Sequence, residues 1–154
     1  MTKTLIRARL LTFLREPLSA DDHGSYAYEE DGAVLVEDGV IRAAGSHGDV
    51  VPLAPDAEVV DHRPHLLLPG FVDAHAHFPQ MQVIASYGAE LLDWLNNYTF
   101  PAESEFADAA HAARIASCFL DEMVRHGTTT SAVYCTVHPQ SAEALFAEAH
   151  RRGM

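Results

Sequence analysis

Apolar and polar positions along the chain change their period near residue 66. Before it, the pattern is that of short β-strands. TLIRARLLTF, residues 4–13, alternates and is rich in strand formers. SADDHGSYAYEEDG, residues 19–32, is polar and contains glycine, and reads as a loop. AVLVEDGVIRAAG, residues 33–45, reads as two short strands about Asp38-Gly39, a dipeptide suited to a tight hairpin. PLAPDAEVVDHRPH is a proline-rich connection holding one more short strand, AEVVD. Residues 1–65 are therefore expected to form a small antiparallel β unit.

From residue 66 the pattern becomes β then α. HLLLPGFVDAHAH opens as a continuous apolar run, which predicts a strand buried on both faces of a parallel sheet. AELLDWLNNY predicts a helix of two or three turns, ended by a turn at Phe100-Pro101-Ala102-Glu103. SEFADAAHAARIASCFLDEMVRHG places Phe106, Ala109, Ala110, Ala113, Ala116, Phe119, Leu120, Met123 and Val124 on one helical stripe. Ser104 is the expected N-cap and Gly127 the glycine that follows the helix. TTTSAVYCT predicts a strand. PQSAEALFAEAHRRG predicts a helix with Pro139 in its first turn, Arg151 and Arg152 in its last, and Gly153 beyond. Strand, helix, strand, helix implies a parallel sheet with helices outside it. Two such units close no barrel, so residues 66–154 read as the opening of a larger α/β protein.

Composition narrows the function classes. The 154 residues are 48% apolar, enough for a core, and carry a net charge of −12 from 22 acidic and 10 basic residues. That balance opposes nucleic-acid binding, which needs clustered Lys and Arg, and opposes an anionic membrane surface. Cys118 and Cys135 form no CxxC pair and read as free thiols of a reducing compartment. The basic start lacks a cleavage site, and no apolar run has the length of a membrane span, so the cytoplasm is the expected location.

The chemistry concentrates in LLLPGFVDAHAHFPQ, residues 66–80. Residues two apart on a strand share a face, so Asp73, His75 and His77 are expected to point one way, at the end where parallel α/β folds place their sites. Two imidazoles at that spacing can share a divalent metal, with further ligands from elsewhere. Asp73 reads equally as a ligand neighbour, a hydrogen-bond support or a strand-end cap.

PGFVDAHAH resembles the first-strand signature of the amidohydrolase superfamily. PGFVDAHAHFPQ, LLDWLNNYTFPAE and HGTTTSAVYCTVHPQS together resemble its guanine-deaminase family, over residues 30–154. The resemblance implies an α/β fold: the N-terminal part of a TIM-like (β/α)8 barrel, incomplete here, preceded by a small β-sandwich portion over residues 1–65, with the first two βα units in 66–154. It implies one zinc per subunit held by His75 and His77. It also implies a guanine site lined by His77, Phe78, Pro79 and Gln80, whose amide offers both donor and acceptor to a purine edge. The implied reaction is zinc-dependent hydrolytic deamination of guanine to xanthine and ammonia by a homodimer. The remaining ligands and the acid/base glutamate would come from later strands, so no catalytic residue is assigned in this chain, and the 154 residues alone are expected to be inactive. Two other readings compete: a different deaminase or cyclic amide hydrolase on the same scaffold, and a remnant that is not an enzyme. The zinc deaminases built on HxE with PCxxC are excluded, because the chain has no PCxxC.

Other residues draw a weaker reading. His138 at a helix start reads as a cap or surface residue, while the resemblance would place it beside the site. Trp94 and Tyr98, four apart, suit packing better than purine stacking. Glu103 reads as structural. His23, His47, His62, His65, His111, His126 and His150 read as surface or packing residues, and both cysteines as inert.

Overall fold

The computed structural model describes residues 2–154, which divide into two compact units, the second beginning at Gly70. The first is one four-stranded sheet in the order β3-β2-β1-β4. Its strands are β1 (Lys3–Phe13), β2 (Tyr26–Glu37), β3 (Val40–Ser46) and β4 (Glu58–Leu67), and a single turn, α1 (His47–Val50), follows β3. Asp38 and Gly39 both take positive φ, +48° and +80°, as a hairpin turn matched to the strand twist requires. Leu5, Ala33, Leu35, Val50 and Ala54 form the buried cluster on one face.

Three expectations change here. β2 begins at Tyr26, so half of the polar stretch is strand: Tyr26, Ala27, Tyr28 and Glu29 pair with Phe13, Thr12, Leu11 and Leu10. The partner strand supplies the backbone bonds that composition cannot foresee. The unit is also not wholly antiparallel, because β4 runs parallel to β1. Finally, Leu66 and Leu67 pair with Arg9 and Leu10 and so finish β4. The apolar run 66–77 is therefore split between two strands, with Leu68-Pro69-Gly70 between them.

The second unit holds β5 (Phe71–His77) and β6 (Thr128–Tyr134), paired in parallel, with α2 (Leu91–Trp94), α3 (Phe100–Ser104), α4 (Ala109–Arg125) and α5 (Pro139–Arg152). Within these 154 residues Phe71 and Val72 of β5 are 57% and 71% exposed. Gly70 permits the close entry to β5, since a Cβ there would fall 2.1 Å from the Thr129 hydroxyl oxygen.

The core of this unit joins Phe78, Phe106, Ala112, Ala116, Leu120 and Leu145. Phe78 and Phe106 meet edge to face, with centroids 5.3 Å apart. The buried positions Ala112, Ala116 and Leu120, with Ile115, Phe119 and Met123 beside them, show that the stripe of α4 is turned from the expected one. Ala109, Ala110 and Ala113 are exposed, and His111 is buried instead. The cap moves as well. Asp108, not Ser104, accepts from the first turn of α4, at Ala110 N, while the Ser104 hydroxyl donates to the Pro101 carbonyl. A short 3₁₀ turn, Glu105–Ala107, separates the two segments.

Phe100-Pro101-Ala102-Glu103 does not end a helix. A π-helical turn, Leu95–Thr99, follows α2 and leads into α3, with Pro101 in its first turn. Pro101 thus lies inside one continuous helical run, residues 91–104, directly after the wide turn. α5 forms as expected, with Pro139 at its start and Gly153 in the left-handed region after it.

Candidate metal and ligand site

The strand register reshapes the D-x-H-x-H stretch. Asp73 pairs with Ser131 and His77 with Tyr134, so β5 advances by one residue more than β6 between them. Ser131 and Tyr134 are three apart and lie on opposite faces, which puts Asp73 on the face away from His77. The expectation that all three share a face is corrected. The Asp73 carboxylate instead accepts from the His75 backbone N–H at 3.0 Å, so it braces the bulge as a local cap.

The two histidines do converge. His75 Nε2 and His77 Nε2 lie 3.0 Å apart, with ring centroids at 5.1 Å. Two nitrogens bound to one tetrahedral zinc, at about 2.0–2.1 Å each, stand about 3.3 Å apart. The pair thus needs a shift of only a few tenths of an ångström to fit a shared ion. Tyr134, at the end of β6, packs on both rings, 4.6 Å from His75 and stacked on His77 at 4.8 Å. Among the described residues, no group of three His, Cys, Asp or Glu side chains is placed to hold a metal. Two nitrogens so placed could supply at most half of a four-coordinate shell.

The segment after His77 is a 3₁₀ helix, Phe78–Val83. Phe78 and Pro79 are buried in the packed interior, so they anchor the segment. His77 and Gln80 instead reach the wall of a cleft of about 700 Å³, shared with Trp94, Glu122, Met123 and His126. The Gln80 amide nitrogen lies 3.4 Å from His77 Nδ1 and donates to the Glu103 carboxylate at 3.3 Å.

Sequence reasoning passed over two of these neighbours. Tyr134 carries no motif of its own, and its position next to the histidines follows only from strand pairing. Glu103 was visible as the last residue of FPAE, but its reach to Gln80 depends on the helix continuing through Pro101.

The remaining candidates fall elsewhere. Trp94 packs rather than stacks on a ligand: its indole N–H donates to the Ser86 hydroxyl at 2.8 Å, and its ring lies against Gly88. His138 is the N-cap residue of α5 without a side-chain capping bond, while its backbone N–H donates to Thr136 Oγ1 and its carbonyl accepts from Ser141. His111 is buried against the Phe106 ring and contacts Gln82. Burial pushes the Cys135 thiol up, against a smaller opposing effect of its bond with Ser141. A protonated, half-buried thiol is a poor nucleophile.

The chain, with a parallel β-α-β unit and an HxH pair at the end of its first strand, belongs to the amidohydrolase family, whose pattern matches residues 66–154. Within that family it is similar to guanine deaminase of Escherichia coli (strain K12), 41% identical over 126 residues that make up 81% of this chain and 29% of that protein. The crystal structure of guanine deaminase from Bradyrhizobium japonicum matches with a TM-score of 0.93 at 33% identity, covering 100% of this chain and 34% of the other. That of guanine deaminase from C. acetobutylicum with bound guanine in the active site matches at 0.79 and 27%, covering 99% and 35%. The chain spans about a third of the length of these relatives. Among the described residues no helix is long and apolar enough to cross a membrane.

Proposed function

We propose that these 154 residues serve a guanine deaminase, contributing part of the β-sandwich and the first two βα units of a (β/α)8 barrel. The observation that carries the reading is the convergence of His75 and His77 at the end of β5, with Gln80 beside them. The similarity to guanine deaminases points the same way: a match covering 81% of the chain necessarily includes His75–Gln80 and Glu103.

His75 and His77 would hold one zinc per subunit through their Nε2 atoms. A zinc held there would lower the pKa of a bound water toward neutrality. The net reaction replaces the C2 amino group of guanine by oxygen, consuming water and releasing ammonia and xanthine. Asp73 keeps the His75 backbone in the bulge and so fixes the height of that imidazole on the strand. Tyr134 limits rotation of both rings by packing on them. Phe78 and Pro79, held in the core, fix the path of the chain to Gln80. The Gln80 amide binds the purine edge. The further ligands and the proton-shuttling glutamate come from elsewhere in the complete protein, which acts as a cytoplasmic homodimer.

The test is made on the complete protein containing this chain. Xanthine formation from guanine with one zinc per subunit is expected. Two metals per subunit, or zinc-loaded protein that leaves guanine unchanged, overturns the proposal.

A further inference from the structure

The Gln80 side chain has two ends of opposite character, and a purine site works only if the amide faces one way. An amide carries an acceptor oxygen and a donor nitrogen of nearly equal size, so shape alone does not orient it. A charged partner does. A carboxylate accepts hydrogen bonds and gives none at neutral pH.

Glu103 is the partner. Its Oε1 lies 3.3 Å from Gln80 Nε2, across 23 positions of sequence. Glu103 is half-buried on α3, two residues after Pro101, where helical backbone limits its wandering. The Gln80 amide oxygen has no protein donor among the described residues. The other neighbour of Nε2, His77 Nδ1 at 3.4 Å, is no acceptor once His77 holds zinc through Nε2, because Nδ1 then carries the ring proton; this contact opposes the orientation and leaves Glu103 to impose it. At 3.3 Å the Glu103 contact is itself long, and it is the carboxylate's charge and acceptor-only character that make it the orienting partner.

We propose that Glu103 is a positioning residue that fixes the Gln80 amide with its nitrogen turned inward to the carboxylate and its oxygen left free to accept from the ligand. The ligand edge that meets this oxygen must then present an N–H. This rests on the reading of Gln80 as a guanine contact. It adds a specificity device: replacing Glu103 by a neutral amide of the same shape lets Gln80 turn over, and a donor then confronts a donor in part of the population.

The experiment is a double-mutant cycle in the complete zinc-loaded protein, with Glu103→Gln, Gln80→Ala and the pair. Steady-state guanine kinetics, zinc content and inhibition by guanines methylated at single ring nitrogens are read for each. Glu103→Gln is expected to raise KM for guanine about tenfold, the equivalent of one lost charge-assisted bond, with zinc content unchanged. It should also reduce the preference for guanine over the methylated analogue that lacks the matching N–H. In the Gln80→Ala background the same change should add nothing, because the two residues act through one contact. Equal effects of Glu103→Gln in both backgrounds, or a loss of zinc and thermal stability with unchanged KM, would show a structural role and overturn the proposal. A wild-type protein inert toward guanine, or a Gln80→Ala variant with unaltered KM, sinks the underlying reading and this proposal with it, and is recognised before Glu103 is touched.

Discussion

Gly70 lies against Thr129 so closely that no side chain fits between them. A Cβ at position 70 would stand 2.1 Å from the Thr129 hydroxyl oxygen and 2.4 Å from its methyl carbon. Gly70 is the last residue before β5, and Thr129 belongs to β6, which pairs with β5. Gly70→Ala is therefore expected to push the two strands apart at their start and destabilise the protein by about 1–3 kcal/mol, the usual cost of overpacking. Urea denaturation of the complete protein measures it. A compensating Thr129→Ala, which removes the hydroxyl and methyl, should recover part of the loss; an unaffected Gly70→Ala variant would contradict the contact.

His75→Ala and His77→Ala each leave one imidazole where the pair now meets. Each change is expected to weaken zinc binding at least about tenfold, since a removed ligand costs at least as much as a lost supporting contact. Metal analysis after dialysis against a graded chelator gives the affinity directly. Asp73→Ala should have a smaller effect, because its carboxylate holds backbone rather than a ring. A variant at Asp73 as deficient in zinc as those at the histidines would place the aspartate in the metal shell and refute the register argument.

Trp94→Phe removes one donor and keeps most of the ring. The lost bond to Ser86 should cost about 1 kcal/mol. The effect is expected to be local, since Ser86 in turn donates to the Val83 carbonyl and Ala85 sits at φ +61° between them. Limited proteolysis should show faster cleavage within residues 83–88 in the variant. An unchanged cleavage pattern would mean that packing alone holds this segment.

The acid side of the stability curve should carry the mark of Glu148. Its bonds with Arg151 and then Arg152 bring its pKa from 4.5 down to about 2. A depressed carboxylate contributes stability that is fully present above the unfolded value and is lost as pH falls through the folded one. The loss from this group is therefore expected between about 4.5 and about 2. Arg152 also pairs with Asp121 and donates to the Ser117 carbonyl, so the cluster ties α5 to α4. Glu148→Gln should flatten the melting temperature against pH over that interval. A curve parallel to that of the unaltered protein would leave the acid dependence to other carboxylates.

The sequence disclosed elements well where periodicity and punctuation agreed. Asp38-Gly39 and the Pro139 and Gly153 ends of α5 were legible because turn and cap geometries demand those residues. The convergence of His75 and His77 was legible from their spacing. The position of Asp73 was not, because an extra residue in one strand appears only when its partner is known. The helical path through Pro101 was hidden for a similar reason: proline signals a break unless the turn before it is known to be wide. The burial of His111 in place of Ala113 shows the limit of hydrophobicity as a guide, since an imidazole laid on Phe106 can occupy a core position. Tyr134 was invisible as a site residue because its neighbours come from a strand 57 positions away at His77.

The wide turn at Leu95–Thr99 sets angles as well as accommodating a proline. Trp94 and Glu103 are nine positions apart, which on an unbroken α-helix is two and a half turns and would aim them in opposite directions. A π turn takes up about one extra residue, or about 100° of rotation. That offset lets both side chains reach the same stretch, Trp94 to Ser86 and Glu103 to Gln80. The helix thus behaves as a two-toothed key cut with a deliberate phase error. Shortening the turn by one residue would leave every chemical group in place and still unlock one tooth from its slot, so this stretch should tolerate substitution far better than deletion.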